Sequence, residues 1–477
     1  MKILQFLAKT ILVCISILII SCSTIPLTQQ PILKEFPKSF SFSTDSSTLA
    51  HIKWNQYFTD SCLLNLIDTA IENNLDLQTA IQRIEMAKSS ILLRKGELAP
   101  VISVAANAAQ NKFGSYTVNA AGNNTTEIYK GQTIPSPSLD YIFSLQTSWE
   151  VDVWGKLHNQ KKAAIARFMS SIEARNLVLT NIIAEVSISY YELLALDNEI
   201  EILNQTIILQ EKAMENAKIL KQAGKANELA IKQFEVQVLN SKSLKVHLKQ
   251  QITEYENRVN FLLGRYPQWI ARNLLSLNKS LPIQLKTGIP AQLLQNRPDI
   301  KQAEFELMAS KADVYAAKAA FYPSLNITGN MGFQAFRTNL LFVTPQSFTY
   351  GVLGSLTAPL INKSAIKAEF RRANASQTEA IYNYQKTIIN GYIEVYNEIA
   401  NIKNLEQIYT LKSSENVALT QAVEISNELF KTGRANYLEV LIAQQKALDA
   451  NLELITTKKS LFRAMINIYK TLGGGWK

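Results

Sequence analysis

The chain has 477 residues, of which 47% are hydrophobic and 18% charged, a composition that excludes a disordered tail or a collagen-like polymer. Its formal net charge is +10, but the basic residues are scattered among acidic ones, so nucleic-acid binding is not expected. Three Cys and three His are too few for a Cys/His metal cluster, and the cysteine positions offer no disulfide framework.

The N-terminus has the pattern of a secretory signal peptide. Residues 1–21 combine two lysines with an apolar run over 11–20 and contain no acidic residue. Ser21 directly precedes Cys22 at the end of that run, which is typical of a bacterial lipobox, whose Cys is acylated and becomes the first residue of the mature chain. We predict a lipoprotein signal peptide at 1–21 and a covalent lipid on Cys22; the alternative is an ordinary signal peptide. Ser23 stands where an Asp commonly signals inner-membrane retention, which favours the outer membrane.

The chain contains an internal repeat. The stretch 223–237 reads AGKANELAIKQFEVQ and the stretch 432–446 reads TGRANYLEVLIAQQK, so both carry a G-x-A-N-x-L pattern. Further matches at a near-constant offset indicate two tandem copies of one unit. The predicted segments are an N-terminal anchor at 22–60, a first repeat at 61–264, an equatorial linker at 265–298 and a second repeat at 299–477.

Each repeat begins with one helix and ends with long stretches that are nearly free of helix breakers. The long helices are predicted at 156–223 and 225–264 in the first repeat, and at 362–432 and 434–472 in the second. Glycine tolerates the positive φ angle that ends a helix, so Gly224 and Gly433 are predicted to turn two helical hairpins. In the first long helix, residues recur at the alternating 4,3 spacing of a coiled-coil seam, with one polar exception. The seam positions are Ile182, Val186, Ser189, Leu193, Leu196, Ile200, Leu203 and Ile207.

Segments between the helices alternate apolar and polar residues with period two. This alternation predicts one β-hairpin at 100–153 and another at 323–360. Strands of about ten residues suit a membrane-spanning β-sheet with one face to lipid and one to water. Four strands cannot close a barrel, and an open sheet edge in lipid would leave backbone N–H and C=O groups unsatisfied. If the strands span a membrane, several chains must therefore pool them.

Together, the lipobox, the tandem repeats, the inserted β-hairpins and the G-x-A-N-x-L turns resemble the TolC-type outer membrane factors, in particular the lipoprotein branch of the OprM/NodT kind. The resemblance implies a mostly α fold with membrane β-strands. Each chain of a homotrimer would give four strands to a shared 12-stranded β-barrel and long coiled-coil helices to a periplasmic α-barrel. No cofactor is expected apart from the lipid on Cys22.

The resemblance also implies a function and a location. Such channels are the exit ducts of tripartite efflux pumps in the outer membrane of Gram-negative bacteria. They are embedded in outer-membrane lipid, extend into the periplasm, and dock to a periplasmic adaptor (membrane fusion protein) and an inner-membrane transporter of the resistance-nodulation-division (RND) class. They conduct drugs or other small molecules passively and are gated at the periplasmic helical tips.

Specific tip residues follow from the resemblance. Adaptor docking is implied for the shared pattern, at Gly224, Asn227, Leu229, Gly433, Asn436 and Leu438. The candidate gate consists of Glu439, Arg434, Tyr437, Glu228 and Lys225. The sequence departs from the family at Ile442 and Ala230, where acidic residues are often found. A solvated charge on an exposed helix is the alternative interpretation of Glu439.

Other functional classes fit the sequence less well. The chain has no GxSxG, GxGxxG, Walker or HExxH motif, so we predict no catalytic residues and no enzymatic activity. An adaptor lipoprotein would carry one helical hairpin inserted in a small β-domain, whereas this chain carries two near-equal copies. The exit duct of a type I protein secretion system remains open, because the same trimer can serve both roles and the partner transporter decides the cargo.

Overall fold

The protein is described from a computed structural model, which covers residues 48–273, 287–359 and 364–476 together with the single positions 31, 37, 40 and 277. The predicted signal peptide and lipid attachment at Cys22 lie outside the described residues. The helices are α1 (Trp54–Tyr57), α2 (Ser61–Asn73), α3 (Leu75–Gly96), α4 (Val118–Thr125), α5 (Lys156–Gln222), α6 (Glu228–Leu262), α7 (Leu293–Asn296), α8 (Pro298–Ala319), α9 (Ser364–Lys431) and α10 (Tyr437–Thr471). The strands are β1 (Val101–Asn111), β2 (Glu127–Tyr129), β3 (Gln132–Thr133), β4 (Ser138–Val151), β5 (Ser324–Ala335) and β6 (Phe348–Thr357).

Two very long helices dominate the chain. Helix α5 has 67 residues and α9 has 68, which at 1.5 Å per residue makes each about 100 Å long. Seven of the eight residues of the α5 seam are buried, and Ile200 is partly buried. One 18-residue window of α5 is apolar enough to cross a membrane by length and composition, but 72% of it is buried inside the protein. A packed core helix passes the same test, so this window is weak evidence for a span.

The four longer strands form one antiparallel sheet in the order β1-β4-β5-β6. Its central pair, β4 with β5, joins the first repeat to the second. Strands β1 and β6 are the two edges. Between β1 and β4 the structure has α4 and the small β2–β3 hairpin. Helix α4 forms because the Thr117 hydroxyl accepts a hydrogen bond from Ala120 N and caps its first turn.

Four helices continue the sheet in the same lateral order. Helix α3 packs on α5, α5 packs on α8, and α8 packs on α9. This order follows from connectivity, because each helix directly precedes or follows its own strand. Below this layer, α6 packs back on α5, and α10 packs on both α9 and α5. Each repeat therefore ends in a two-helix hairpin, and the two hairpins lie side by side.

The largest hydrophobic core lies midway along the long helices and gathers α2, α5, α9, α10 and both ends of the described chain. Tyr57 stacks on Tyr469 with ring centroids 4.2 Å apart, and the Tyr57 hydroxyl donates to Met465 O. Phe40 stacks in the same way on Tyr392. Burial raises the pKa of the Tyr57 phenol, so this group stays a neutral hydrogen-bond donor. The core therefore holds the long helices together near their midpoints.

Buried arginines tie the segments around the linker to the long helices. Arg297, whose side chain is 8% exposed, pairs with Asp299 and Glu394 and donates to Thr471 O. The guanidinium lies against Gly391 in α9, where a Cβ would come within 3.1 Å of Arg297 Nε. This close approach explains why α9 carries a glycine at that position. Charge-assisted bonds of this kind are strong when the charges are largely removed from water.

Candidate channel surfaces and helical tips

The first helical tip is built by Gly224 and Asn227. Gly224 has a φ of 72°, Gly224 N donates to Lys221 O, and Lys225 N donates to Leu220 O. Asn227 then caps α6, because its Oδ1 accepts from Ala230 N at 3.0 Å. The predicted helix at 225–264 therefore begins three residues later, at Glu228.

The second tip repeats this geometry. Gly433 has a φ of 74°, Gly433 N donates to Phe430 O, and Arg434 N donates to Leu429 O. Asn436 caps α10 by accepting from Leu438 N at 3.3 Å. The helix predicted at 434–472 accordingly starts at Tyr437. The Gly and Asn of the repeated pattern thus serve the turn itself in both copies.

The other members of the pattern point outward or fill the space between the tips. Leu229 is 55% exposed and Leu438 is 48% exposed, so both present apolar surface at the helical tips. Ala435 and Tyr437 are partly buried against a cluster that we call the tip cluster. Its buried members are Ala213, Ala217, Phe234, Phe430, Val440 and Leu441. This cluster packs the two hairpins of one chain together.

The structure separates the candidate gate residues into three groups. Glu228 pairs with Lys221 at 2.5 Å, and this hydrogen bond holds the pKa of the Glu228 carboxyl below its ordinary value. Tyr437 belongs to the tip cluster. Lys225, Arg434 and Glu439 are exposed, and none of them has an ion-pair partner within the described part of the chain.

The two positions where the sequence departs from the family differ in burial. Ala230, the counterpart of Glu439 in the first repeat, is completely buried. Ile442 is 48% exposed on the same helix as Glu439. An acidic side chain at the Ala230 position would therefore lie inside the hairpin packing and away from solvent.

The sheet has one apolar face. The apolar residues of all four alternating strands lie on that face. One row of neighbours across the four strands consists of Val104, Leu145, Met331 and Tyr350. These four side chains are between 45% and 75% exposed. A contiguous apolar surface of this kind on a soluble protein would cause aggregation, whereas it suits contact with lipid.

The opposite face of the sheet is polar. One cross-strand row consists of Ser103, Gln146, Asn330 and Gly351, and these residues line a groove of about 560 Å³. The sheet therefore separates an apolar surface from a water-compatible one.

The polar face continues from the strands onto the helices. Glu150, two register positions from Ser148 on that face, pairs with Lys156 at the start of α5 at 2.6 Å. Lys156 lines a cavity of about 630 Å³ to which α3, α5, α8 and α9 all contribute. Ion pairs within the chain balance its charged lining, for example Arg167 with Asp313 and Arg372 with Glu369. The Arg167–Asp313 pair forms through the packing of α5 on α8, whereas Glu369 and Arg372 lie one helical turn apart in α9.

Aromatic side chains mark both ends of the sheet. At the helical end, Trp154 stacks on Tyr322 with centroids 4.8 Å apart. At the far end, Phe333 contacts Phe342 and Phe348 at centroid distances of 5.4 and 6.0 Å. The twelve residues of β5 rise about 30 Å at a strand tilt of about 40°. This spacing fits the hydrocarbon thickness of an outer membrane.

Comparison with known proteins agrees with this geometry. Over 471 residues the chain is 24% identical to the "Cation efflux system protein CusC" of Escherichia coli O6:H1, covering 97% of this chain and 98% of the relative. It is 25% identical over 445 residues to the "Probable outer membrane lipoprotein SilC" of Salmonella typhimurium, covering 92% of this chain and 93% of SilC.

The fold has a solved counterpart in the outer-membrane channel OprN, with a TM-score of 0.84 and 22% identity, covering 95% of this chain and 100% of OprN. The predicted TolC-type fold is thereby confirmed. The model of the family "Outer membrane efflux protein" matches residues 66–265 and 289–474, which include both repeats. The chain belongs to the outer membrane efflux protein family and is an outer-membrane efflux channel of the TolC type.

Proposed function

We propose that three copies of this chain form the exit duct of a tripartite pump. They are anchored by a lipid on Cys22 and docked through their tips to a periplasmic adaptor, which connects them to an inner-membrane RND transporter. The proposal depends on one observation, a sheet with one apolar face, one polar face and two edge strands, β1 and β6. Family membership supports the efflux role, and the trimer, the lipid and the partners are what the proposal adds.

The free edges require further copies. Within the part of the chain that the structure describes, strands β1 and β6 each have a partner on one side only. In hydrocarbon, every unpaired backbone N–H or C=O costs several kcal/mol. Pairing β6 of one copy with β1 of the next removes both edges, and three copies supply twelve strands. The helices follow the same order as the strands, so α9 of one copy meets α3 of the next in the same closure.

Exposed apolar residues at the edge helices support this arrangement. Met86, Leu92 and Leu93 on α3 are each more than 60% exposed, and Tyr382 on α9 is 56% exposed. Side chains of this size are rarely left in water along a whole helix edge. Contact between copies along α3 and α9 buries them.

The closed path then has a defined lining. The polar sheet face and the charged cavity below it face inward, and the apolar row with its aromatic ends faces lipid. At the periplasmic end, Arg434 and Glu439 are free to pair with neighbouring copies, which would narrow the path. Exposed Leu229 and Leu438 offer the adaptor an apolar contact beside the turn.

Channel reconstitution tests the proposal. Native mass spectrometry of the purified mature protein should give the mass of a trimer, and the trimer should conduct ions in planar bilayers. The double variant Val104→Asp with Leu145→Asp, on the lipid face, should fail to insert. A monomeric particle that inserts and conducts as a single chain would contradict the proposal. Mass spectrometry of the N-terminal peptide should also find acylated Cys22, and an unmodified Cys22 in membrane extracts would remove the anchor.

A further inference from the structure

The interface between the two hairpins of one chain is divided along its length. The first hairpin is the lower part of α5 with α6, and the second is the lower part of α9 with α10. The tip cluster holds them together at the turns. Higher up, a second apolar group, which we call the shaft cluster, does the same, with buried members Leu196, Leu203, Leu248 and Leu448.

Glutamines lie between the two clusters. Gln210 on α5 is completely buried and Gln444 on α10 is 4% exposed. Neither the Nε2 nor the Oε1 atom of either residue has a hydrogen-bond partner among the described residues. Beside them, Gln237 on α6 donates from Nε2 to Gln445 Oε1 on α10 at 2.5 Å. We call these four residues, Gln210, Gln237, Gln444 and Gln445, the glutamine layer. Each hairpin contributes two of them.

Gln210 and Gln444 lie at the same height. Helices α5 and α10 are antiparallel, because Ala213 packs near Leu441 in the tip cluster while Leu203 packs near Leu448 in the shaft cluster. Gln210 falls between Leu203 and Ala213, and Gln444 falls between Leu441 and Leu448. Gln210 also takes the next seam position after Ile207, so it occupies a place that an apolar residue would normally fill.

The two unpaired amides, Gln210 and Gln444, weaken the interface at this level, while the Gln237–Gln445 hydrogen bond bridges it. A buried amide without hydrogen bonds loses its water and gains nothing in return, whereas an apolar side chain of the same shape would stabilise the packing. When the hairpins separate, water reaches all four polar atoms of Gln210 and Gln444. The amides therefore raise the free energy of the packed state relative to the separated state.

We propose that the glutamine layer of Gln210, Gln237, Gln444 and Gln445 is the plane at which the two hairpins of each chain part when the channel opens. The inference rests on the proposed exit duct and assigns to the glutamine layer the equilibrium between its closed and open states. Below the layer, opening separates the first-hairpin members of the tip cluster from its second-hairpin members, and the shaft cluster above the layer stays packed. The two amides make this separation easier than an apolar seam would.

The test replaces the unpaired amides with methionine, which has nearly the same shape and no hydrogen-bonding requirement. In planar bilayers, Gln210→Met with Gln444→Met should lower the open fraction about tenfold relative to wild type. The reason is that an apolar pair lowers the free energy of the packed, closed state, whereas the unpaired amides raise it. The same variant should unfold at the same or a higher temperature. The leucine pair Gln210→Leu with Gln444→Leu provides a second apolar version should the methionine pair fold poorly.

Gln205→Met is the matched control. Gln205 lies on the same helix but is exposed and hydrogen-bonded to Glu201, so its replacement should leave the open fraction unchanged. An open fraction in the double variants equal to or above that of wild type would overturn the inference. Wild-type protein that does not conduct at all would instead overturn the proposed duct, so the two failures are distinguishable.

Discussion

The two helical tips share a backbone and differ in their side chains. Both turn at a left-handed glycine and both restart at an Asn cap. At the third residue after the cap, however, the first tip buries Ala230 and the second exposes Glu439. The first tip also uses its acid internally, since Glu228 pairs with Lys221. The turn is therefore the same in both repeats, and among the described candidate gate residues the acid without an ion-pair partner, Glu439, lies in the second tip.

The largest expected effect comes from exchanging the residues that differ. Ala230→Glu places a charge in a fully buried position and should destabilise the first tip by about 3 kcal/mol, because the carboxylate would lose its hydration there. Glu439→Ala should change stability by only about 0.5 kcal/mol, since the side chain is exposed. Hydrogen exchange of the backbone amides at 228–238 and 437–447 measures both. Equal protection loss in the two variants would contradict the assigned difference in burial.

A smaller effect is expected on conductance. Arg434→Ala together with Glu439→Ala should raise single-channel conductance about threefold, because it removes charges free to pair between copies at the constriction. Lys225→Ala with Glu228→Ala in the first tip is the comparison and should change conductance less, because Glu228 already pairs with Lys221 of its own chain. Unchanged conductance in the second-tip variant would remove Arg434 and Glu439 from the gate.

The smallest effect is a dependence on pH that is confined to the first tip. Because Lys221 lowers the pKa of Glu228 below its ordinary value of 4.5, the pair stabilises the tip above that value and is lost as pH falls through the lowered one. Proteolysis at residues 222–227 should therefore become faster between pH 5 and pH 3. Glu228→Gln lacks this titration, so its cleavage should vary less over that range. An identical pH profile in the variant would assign the sensitivity to other groups.

Much of the backbone could be predicted from the sequence, because single residues determine it. Gly224 and Gly433 mark the turns, and period-two alternation marks the four long strands. The seam from Ile182 to Ile207 marks the buried side of α5. These signals are local, since each depends on a conformational preference or on a repeat within one element.

Features set by packing between elements were not predictable. The burial of Ala230 and the exposure of Glu439 depend on how each hairpin is rotated against the other, which no local pattern encodes. The pairing of Glu228 with Lys221 across the turn depends on rotamers. The glutamine layer had a usable signal: continuing the 4,3 spacing by one step places Gln210 in the seam, where a polar residue needs an explanation.

The pairing of β4 with β5 has a consequence for how the chain meets its neighbours. Under the repeat, β4 corresponds to β6 and β5 corresponds to β1. In the proposed trimer, the β4–β5 pair inside one chain is therefore equivalent to the β6–β1 pair between neighbouring copies. The register of Phe143 opposite Phe333 then predicts the register of the strand pair between copies.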